Sequence, residues 1–462
     1  MPPDMPPAFR ATPTTDPAMS AYPLLPATGS VSQAAGLLAL ILYYVMPANL
    51  LVLLGIPYNV PGGALPFKFH PGSYLIALAF VATMVRRDPM GQFVALSRQF
   101  PALAGYALML IGIMVYTTIR FGTGGVGFFI DTLFIPSLLV ALLYLSPDTY
   151  RQRLFYWILG LTLVNAMLGI VESATQRRLL PYMIGDEEVV EDFFRSAALT
   201  SHPLESAQRT VPVLFACLIL PVGWRIPCLL VLFLSLFAFG SRGAFGAALL
   251  FMSTWAGYAA FRAMVASRLD IRWLIWASLL LPLVLAAGGY SAWKLDLGAR
   301  IFEKLFWDDS AASRLESVQL LDELTLGQFL FGAGTDGLAQ LIDAKGGYFN
   351  IENFWVVLLI QLGIFAFVPF ALGLIGLMVS VARKGPTPVR LAAFVYLLLA
   401  SSNDALSHKS PNLSLLLATL IGATAVARTH QNQEPIHPGQ HELYRNHLRR
   451  LRQPVREPMS RP

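Results

Sequence analysis

Charge is scarce in this chain. Asp, Glu, Lys and Arg make up 13% of its 462 residues, against about 25% in an ordinary soluble domain, which excludes a water-soluble fold for most of the length. Cysteine is scarcer still. Cys217 and Cys228 both sit in apolar runs, so neither a disulfide framework nor a thiolate metal site is implied. The ten-residue alternating segments of a membrane β-barrel are missing, and so is any internal repeat that would make two related halves. No cleavable signal is expected: residues 1–33 are proline-rich and polar, and the first apolar run is too long for a signal-peptide core.

What the chain does have is length and grease. It is 55% hydrophobic, with a mean hydropathy of +0.59 and repeated apolar runs of about 15–28 residues. This patterning predicts an all-α polytopic membrane protein. Spans are placed at 34–56, 72–85, 102–119, 127–145, 154–171, 205–223, 226–240, 244–261, 272–289, 353–382, 390–402 and 411–427, about twelve transmembrane helices. Residues 1–33 read as a disordered cytoplasmic N-terminus, 34–289 as spans one to nine and 290–352 as a long extracytoplasmic loop. Residues 353–427 hold the last three spans, and 428–462 form a basic cytoplasmic tail.

Orientation follows the Lys and Arg of the connections. With the N-terminus inside, the inner loops hold Arg86, Arg87 and Arg98, then Arg151 and Arg153, Arg225, then Arg262, Arg268 and Arg272, and finally Arg383, Lys384 and Arg390. Pro221, Gly223, Arg225 and Pro227 interrupt 205–240, so it is read as a tight hairpin. That puts the two long polar segments, 172–204 and 290–352, on one outer face. The net charge of +6 lies largely in the tail. Topology accounts for it, and no nucleic-acid partner is expected.

The residues that could carry chemistry cluster on that outer face. Arg242, in Ser241-Arg242-Gly243 between two apolar runs, cannot neutralise itself; it is either a snorkelling helix-end arginine or the partner of a bound anion. Arg209 lies one turn inside a helix and faces either Glu205 at i−4 or a ligand. Arg314 falls in DDSAASRLESVQLLDEL, which reads as an amphipathic helix with Leu315, Val318 and Leu321 on one side; alone, it is a solvated charge. Phe331-Gly-Ala-Gly-Thr-Asp-Gly337 has the letters of a dinucleotide motif. It follows a short outer helix rather than a strand, so that reading is rejected. Gly332 and Gly334 either offer backbone N–H groups to a phosphate or simply close a loop. Glu352-Asn353 opens an apolar run, and a helix N-terminus there suits an anion or a plain side-chain cap. Gly363, ten residues on, permits close packing. Asp308-Asp309 is a weak metal signal beside a solvated-loop reading. His202 and His408 are further candidates.

Four blocks resemble a known family: GSRGAFGAALL at 240–250, SRLESVQLLDELTLGQFLFGAGTDGL at 313–338, ENFWVVLLIQLGIFA at 352–366 and, more weakly, FRSAALTSHPLESAQ at 194–208. Together they look like the O-antigen ligase and polymerase superfamily of bacterial inner membranes, integral-membrane glycosyltransferases acting on undecaprenyl-diphosphate-linked glycans. The likeness covers the chain after about residue 190. Ligases of that family carry His, then Asn, Ser or Gln, then nine residues and Gly. Here Asn353 and Gly363 keep the spacing but Glu352 replaces the His, which points to the polymerase branch.

The resemblance implies a GT-C-like membrane enzyme whose arginines clamp the diphosphate while a base deprotonates the acceptor hydroxyl. Arg209, Arg242 and Arg314 are then the phosphate-binding candidates and Glu352 the base. Asn353, Gly332, Gly334 and His202 complete the substrate site. Neither metal nor cofactor is expected. The implied partners are the lipid-linked oligosaccharide, the growing glycan chain and other proteins of polysaccharide assembly and export. The implied location is the inner membrane, with the site on the periplasmic face. The alternatives are a glycan ligase, a polysaccharide flippase or transporter, and a structural subunit of an export complex.

Overall fold

A computed structural model of the chain describes residues 29–58, 65–85, 88–181, 183–184, 187–188, 194–265, 317–345, 351, 353–402 and 406–433. It is a helical bundle. The helices are α1 (Ser30–Val45), α2 (Ala48–Leu53), α3 (Pro71–Val85), α4 (Pro89–Gln99), α5 (Pro101–Phe121), α6 (Val126–Tyr144) and α7 (Asp148–Thr175). They continue with α8 (Pro203–Ala216), α9 (Val222–Ala238), α10 (Arg242–Val265), α11 (Leu326–Phe331), α12 (Gly334–Ala344), α13 (Phe354–Leu362), α14 (Ile364–Ala382), α15 (Thr387–Ala400) and α16 (Asn412–Gln433). The β-structure among the described residues is one hairpin of two-residue strands, Met183–Ile184 against Glu187–Glu188.

Helix α16 is the centre of the bundle. It packs against α6, α7, α8, α14 and α15, and 78% of its apolar stretch is buried, as is 72% of α6. Helix α10, at 17%, is peripheral. Large apolar side chains remain exposed on the outer helices, among them Leu108, Val115 and Ile119 on α5 and Phe365 and Leu372 on α14. Contiguous apolar surface of this kind needs a non-aqueous neighbour. The protein is a polytopic, largely helical membrane protein.

The bundle has two chemically different ends. At one, Asn49 donates to Pro181 O at 3.0 Å, His70 Nε2 meets Met46 O at 2.8 Å and Trp355 Nε1 donates to Ser401 Oγ at 2.7 Å. This polar end gathers the described residues of the segments after α1, α5, α7, α9 and α15, with 317–345, 351 and 353. At the other, Tyr150 donates to Gln33 O at 2.6 Å, Thr83 meets Ser32 at 3.0 Å and Lys384 lies over the rings of Phe100 and Tyr144. The α8–α9 hairpin turns at this basic end, where Arg225 donates twice to Leu220 O at 2.9 and 2.7 Å.

The expectation of a GT-C-like bundle of about twelve spans is corrected. Among the described residues, six helices are long and apolar enough to cross a membrane: Pro101–Phe121, Val126–Tyr144, Asp148–Thr175, Arg242–Arg262, Ile364–Ala382 and Asn412–His430. Four more, Ser30–Val45, Pro71–Val85, Val222–Ala238 and Thr387–Ala400, are apolar but shorter. Hydropathy sums across breaks that the backbone does not. The run 34–56 breaks at Pro47, which lacks the N–H a continuous helix needs. The run 205–223 loses its α-helix at Ala216 and tightens into a 3₁₀ turn, Cys217–Ile219. The run 353–382 is two helices, divided at Gly363 with φ +71°. The span placed at 272–289, the terminal segments 1–28 and 434–462, and most of the loop 290–352 lie outside the described residues.

In the described part of that loop, Val318 is exposed and Leu320 buried, so the expected stripe through 318 and 321 is not kept. The chain winds into a 3₁₀ turn at Leu320–Glu323, which rotates the apolar face. Thr325 and Gln328 form a reciprocal capping box at the start of α11, with Gln328 N donating to Thr325 Oγ1 at 3.3 Å and Thr325 N to Gln328 Oε1 at 3.0 Å.

Candidate functional site

An ionisable side chain in an apolar helix must find partners. The polar end of the bundle holds several such side chains, joined in one buried network. Asp131 lies in α6, where Phe129–Phe134 forms a π turn. Widening the helix there turns successive residues inward, and Asp131, Thr132 and Leu133 are all buried. Such turns are enriched at functional sites.

The Asp131 carboxylate accepts from the Tyr58 hydroxyl on one oxygen and from Ser73 on the other. The His70 N–H also points to it, at 3.3 Å from Oδ2. Tyr43 meets Ser73 Oγ at 2.9 Å, so a hydroxyl chain runs Tyr43–Ser73–Asp131. Lys409 Nζ closes the far side, donating to Tyr58 O at 2.9 Å and Lys68 O at 3.0 Å. Burial pushes its ammonium down, and the Asp131 charge pulls it back up. Burial, reinforced by Asp131, pushes the Tyr58 phenol well above its usual range.

His70 is 2% exposed, and burial lowers its pKa to about 4. Nδ1 accepts from Gly72 N at 3.0 Å while Nε2 meets Met46 O at 2.8 Å. The imidazole is therefore neutral, with its proton on Nε2. The folded pKa lies below the unfolded value near 6.5, so the stabilisation is complete above about pH 6.5 and is lost as pH falls toward 4. Thermal stability in detergent should drop across that window, by up to about 3 kcal/mol. The part of the drop between pH 6.5 and 5.5, where few carboxylates titrate, should vanish in His70→Gln. An unchanged slope in that variant refutes the assignment.

Arg209 anchors the other half of the network. Glu205, one turn earlier on α8, accepts from Nη2 at 2.7 Å, Asn412 Oδ1 from Nε at 2.6 Å and Tyr43 O from Nη1 at 3.3 Å. The guanidinium also lies 5.6 Å from the Tyr44 ring centroid. The pair with Glu205 is realised, and it is buried. A cavity of about 10 Å³ beside it is lined by Tyr44, Gln208, Tyr396 and Asn412 among others. That is room for about one water and far short of a diphosphate. In this conformation Arg209 holds α8, α1 and α16 together instead of facing a ligand.

The remaining candidates divide. Arg242 begins α10 at the polar end. The stem of Arg195, which the sequence had not singled out, packs against Gly240 two residues before it, where φ is +63°. The Arg195 segment is pinned in turn: Ser196 N donates to Ala238 O at 3.0 Å, and Glu172 accepts from Leu179 N, Ser196 Oγ and Ala198 N at 2.6, 2.5 and 2.9 Å. His202 is the N-cap of α8, its Nδ1 accepting from Leu204 N at 3.1 Å. Asn353 caps α13, its Oδ1 accepting from Trp355 N and Val356 N at 3.0 and 3.3 Å. His408 lends its carbonyl to Thr132 at 3.3 Å. Arg314, Glu352 and the pair Asp308-Asp309 lie outside the described residues. Among the described residues, no three His, Cys, Asp or Glu side chains gather as a metal site.

Gly332 closes the loop, and Gly334, at φ +73°, begins α12. Gly332 N donates to Gln328 O at 2.7 Å and Ala333 N to Ile360 O at 2.8 Å, so these N–H groups are spent within the protein. A Cβ on Gly332 would meet Gln361 O and Leu362 C, and one on Gly363 would meet Gly332 N and Leu330 O. Two backbones cross here in contact, each at a glycine with positive φ. Tyr116 of α5 also donates to Phe331 O. The Asn353-to-Gly363 spacing thus measures one short helix, from its cap to the crossing.

The Asp131 network was missed in the sequence. Its one visible signal was a lone acid in the apolar run VGFFIDTLF, but its partners are scattered between residues 43 and 409. Compared with family models, with curated proteins and with solved structures, the chain finds no match in any of the three.

Proposed function

We propose that this protein is an integral-membrane glycosyltransferase of polysaccharide assembly, joining lipid-diphosphate-linked repeat units at the polar end of the bundle. The observation that carries the reading is the convergence at one end of the described parts of both long polar segments, the helix start at Arg242 and the cap at Asn353. The orientation proposed with it puts the polar end in the periplasm and both termini in the cytoplasm. Arg98, Arg151, Arg225, Lys384 and Arg428 on the opposite end support it by the positive-inside rule.

In the proposed reaction the acceptor hydroxyl oxygen attacks the anomeric carbon of the donor. The bond from that carbon to the diphosphate oxygen breaks with inversion, lipid diphosphate leaves, and the hydroxyl proton passes to Glu352. Arg242 and Arg314 meet the charge that builds on the leaving diphosphate. Arg209, with each of its three guanidinium nitrogens already bonded within the protein, is reassigned to holding the helices that frame the site.

The test is the lipid-linked intermediate that accumulates when the gene is deleted. A single repeat unit on the outer leaflet is the expected result. A finished chain there makes the protein a ligase, and a repeat unit confined to the inner leaflet makes it a flippase. In the complemented strain, Arg242→Ala should cut polymer yield by tenfold or more; wild-type yield and chain length refute its role.

A second reading draws on Asp131. A buried carboxylate in a π turn, linked to Tyr58, Ser73, His70 and Lys409, also suits proton-coupled transport. Asp131→Asn separates the two: the enzyme retains a proton-gradient-independent activity, whereas a coupled transporter loses its response to the gradient.

A further inference from the structure

The basic end contains a cavity of about 300 Å³, lined by Phe100, Tyr144, Arg151, Lys384, Thr424 and Arg428 among others. Its walls come from four helix ends: the last residue of α6, the first turn of α7, the residues just past α14, and α16 near its last turns. Helix ends of membrane spans lie at the depth of lipid headgroups.

The charge there is unbalanced. Three cations line the cavity, and the ion pair within it is Arg151 Nη1 to Asp148 Oδ1 at 2.7 Å, with the aspartate half exposed. Arg151 spends its other contacts on Leu143 O and Tyr144 O, at 2.7 and 3.0 Å. The Lys384 ammonium has no hydrogen bond or ion pair among the described residues; its Nζ lies 4.1 Å from the ring centroids of both Phe100 and Tyr144, which stack at 4.0 Å. Burial, then the charges of Arg428 and Arg151, push Lys384 down to about 8, as befits an ammonium held among like charges without a counter-ion. Phe100, Val381 and Ile421 make the rest of the wall apolar.

We infer that this cavity is a binding site for the phosphate of an anionic phospholipid, the phosphate seated among Arg151, Lys384 and Arg428 and the glycerol end against the apolar wall. The single negative charge of a phosphodiester would offset part of the excess without displacing the contacts of Arg151. The apolar wall and the headgroup depth favour a lipid over free phosphate. The site is separate from the chemistry proposed above, at the other end of the bundle, so either reading can fail alone.

The test uses full-length protein in neutral detergent, titrated with phosphatidylglycerol, phosphatidylcholine or inorganic phosphate, with binding followed by native mass spectrometry and by thermal shift. Phosphatidylglycerol should bind with a defined stoichiometry and raise the melting temperature, and phosphatidylcholine should not. Lys384→Gln/Arg428→Gln should weaken phosphatidylglycerol binding about thirtyfold, at about 1 kcal/mol per cation. The control Arg383→Gln/Arg390→Gln removes the same charge beside the cavity and should retain binding to within about threefold. Equal losses in both double variants reduce the effect to general surface charge and overturn the site. A shift with inorganic phosphate that matches the lipid overturns the lipid assignment.

Discussion

Gly363→Ala is expected to destabilise the folded protein by on the order of 3 kcal/mol. Two costs add. At φ +71° a side chain is strained wherever it points. The new methyl would also press on Gly332 N and Leu330 O, and these are backbone atoms that cannot rotate away as a side-chain tip can. The melting temperature in detergent should fall, and the segment 325–345 should become the first site of limited proteolysis, because the crossing is what seats α11 and α12 on α13. Gly376→Ala is the control. Gly376 lies within α14, and a methyl there meets nothing within 4 Å, so it should leave stability unchanged or raise it by up to about 1 kcal/mol. Equal melting temperatures for the two variants would dispose of the crossing as a structural element.

Arg209→Met should cost about 3–5 kcal/mol, the loss typical when one partner of a buried ion pair is removed. Met matches the stem but not the charge. Glu205 is then left 9% exposed with no counter-charge on its own helix, and Asn412 and Tyr43 O lose their donor. Arg209→Met/Glu205→Leu should recover most of the stability, since an apolar pair of similar volume can replace a buried salt bridge at little cost. Measured together, the single and double variants give the coupling energy directly. If the double variant folds and also makes polymer, the arginine is a strut and not part of the diphosphate site. If it folds but makes none, the residue does more than hold helices.

The parts of the structure that were legible in the sequence are the local ones. Arg209 with Glu205 at i−4 and Asn353 as a cap both depend on neighbours within about one helical turn, and a reader of residues can see that far. Span length was misread for a related reason. A hydropathy sum treats Pro47 or Gly363 as one residue of low value, while the backbone treats either as a break. The part played by the turn at Gly332 rests on which N–H groups are already taken, and Ile360 O, which accepts from Ala333 N, lies 27 residues away from it. Asp131 shows the remaining limit. An acid in an apolar run signals that a partner exists, yet nothing local says that the partners are Tyr58, Ser73 and, on the far side of the chain, Lys409.

The central position of α16 bears on how the protein is made. Residues 412–433 leave the ribosome after every helix they pack against, so α6, α7, α8, α14 and α15 must enter the membrane with the middle of the bundle still vacant. Until α16 arrives, Arg209 has Glu205 but not Asn412, and the polar faces of α6 and α8 are open to lipid or to an insertion factor. Assembly therefore closes from the inside at the last step. A stalled or truncated chain ending before Asn412 would present those faces to quality control, and a separately expressed α16 peptide supplied to it would be the natural complement.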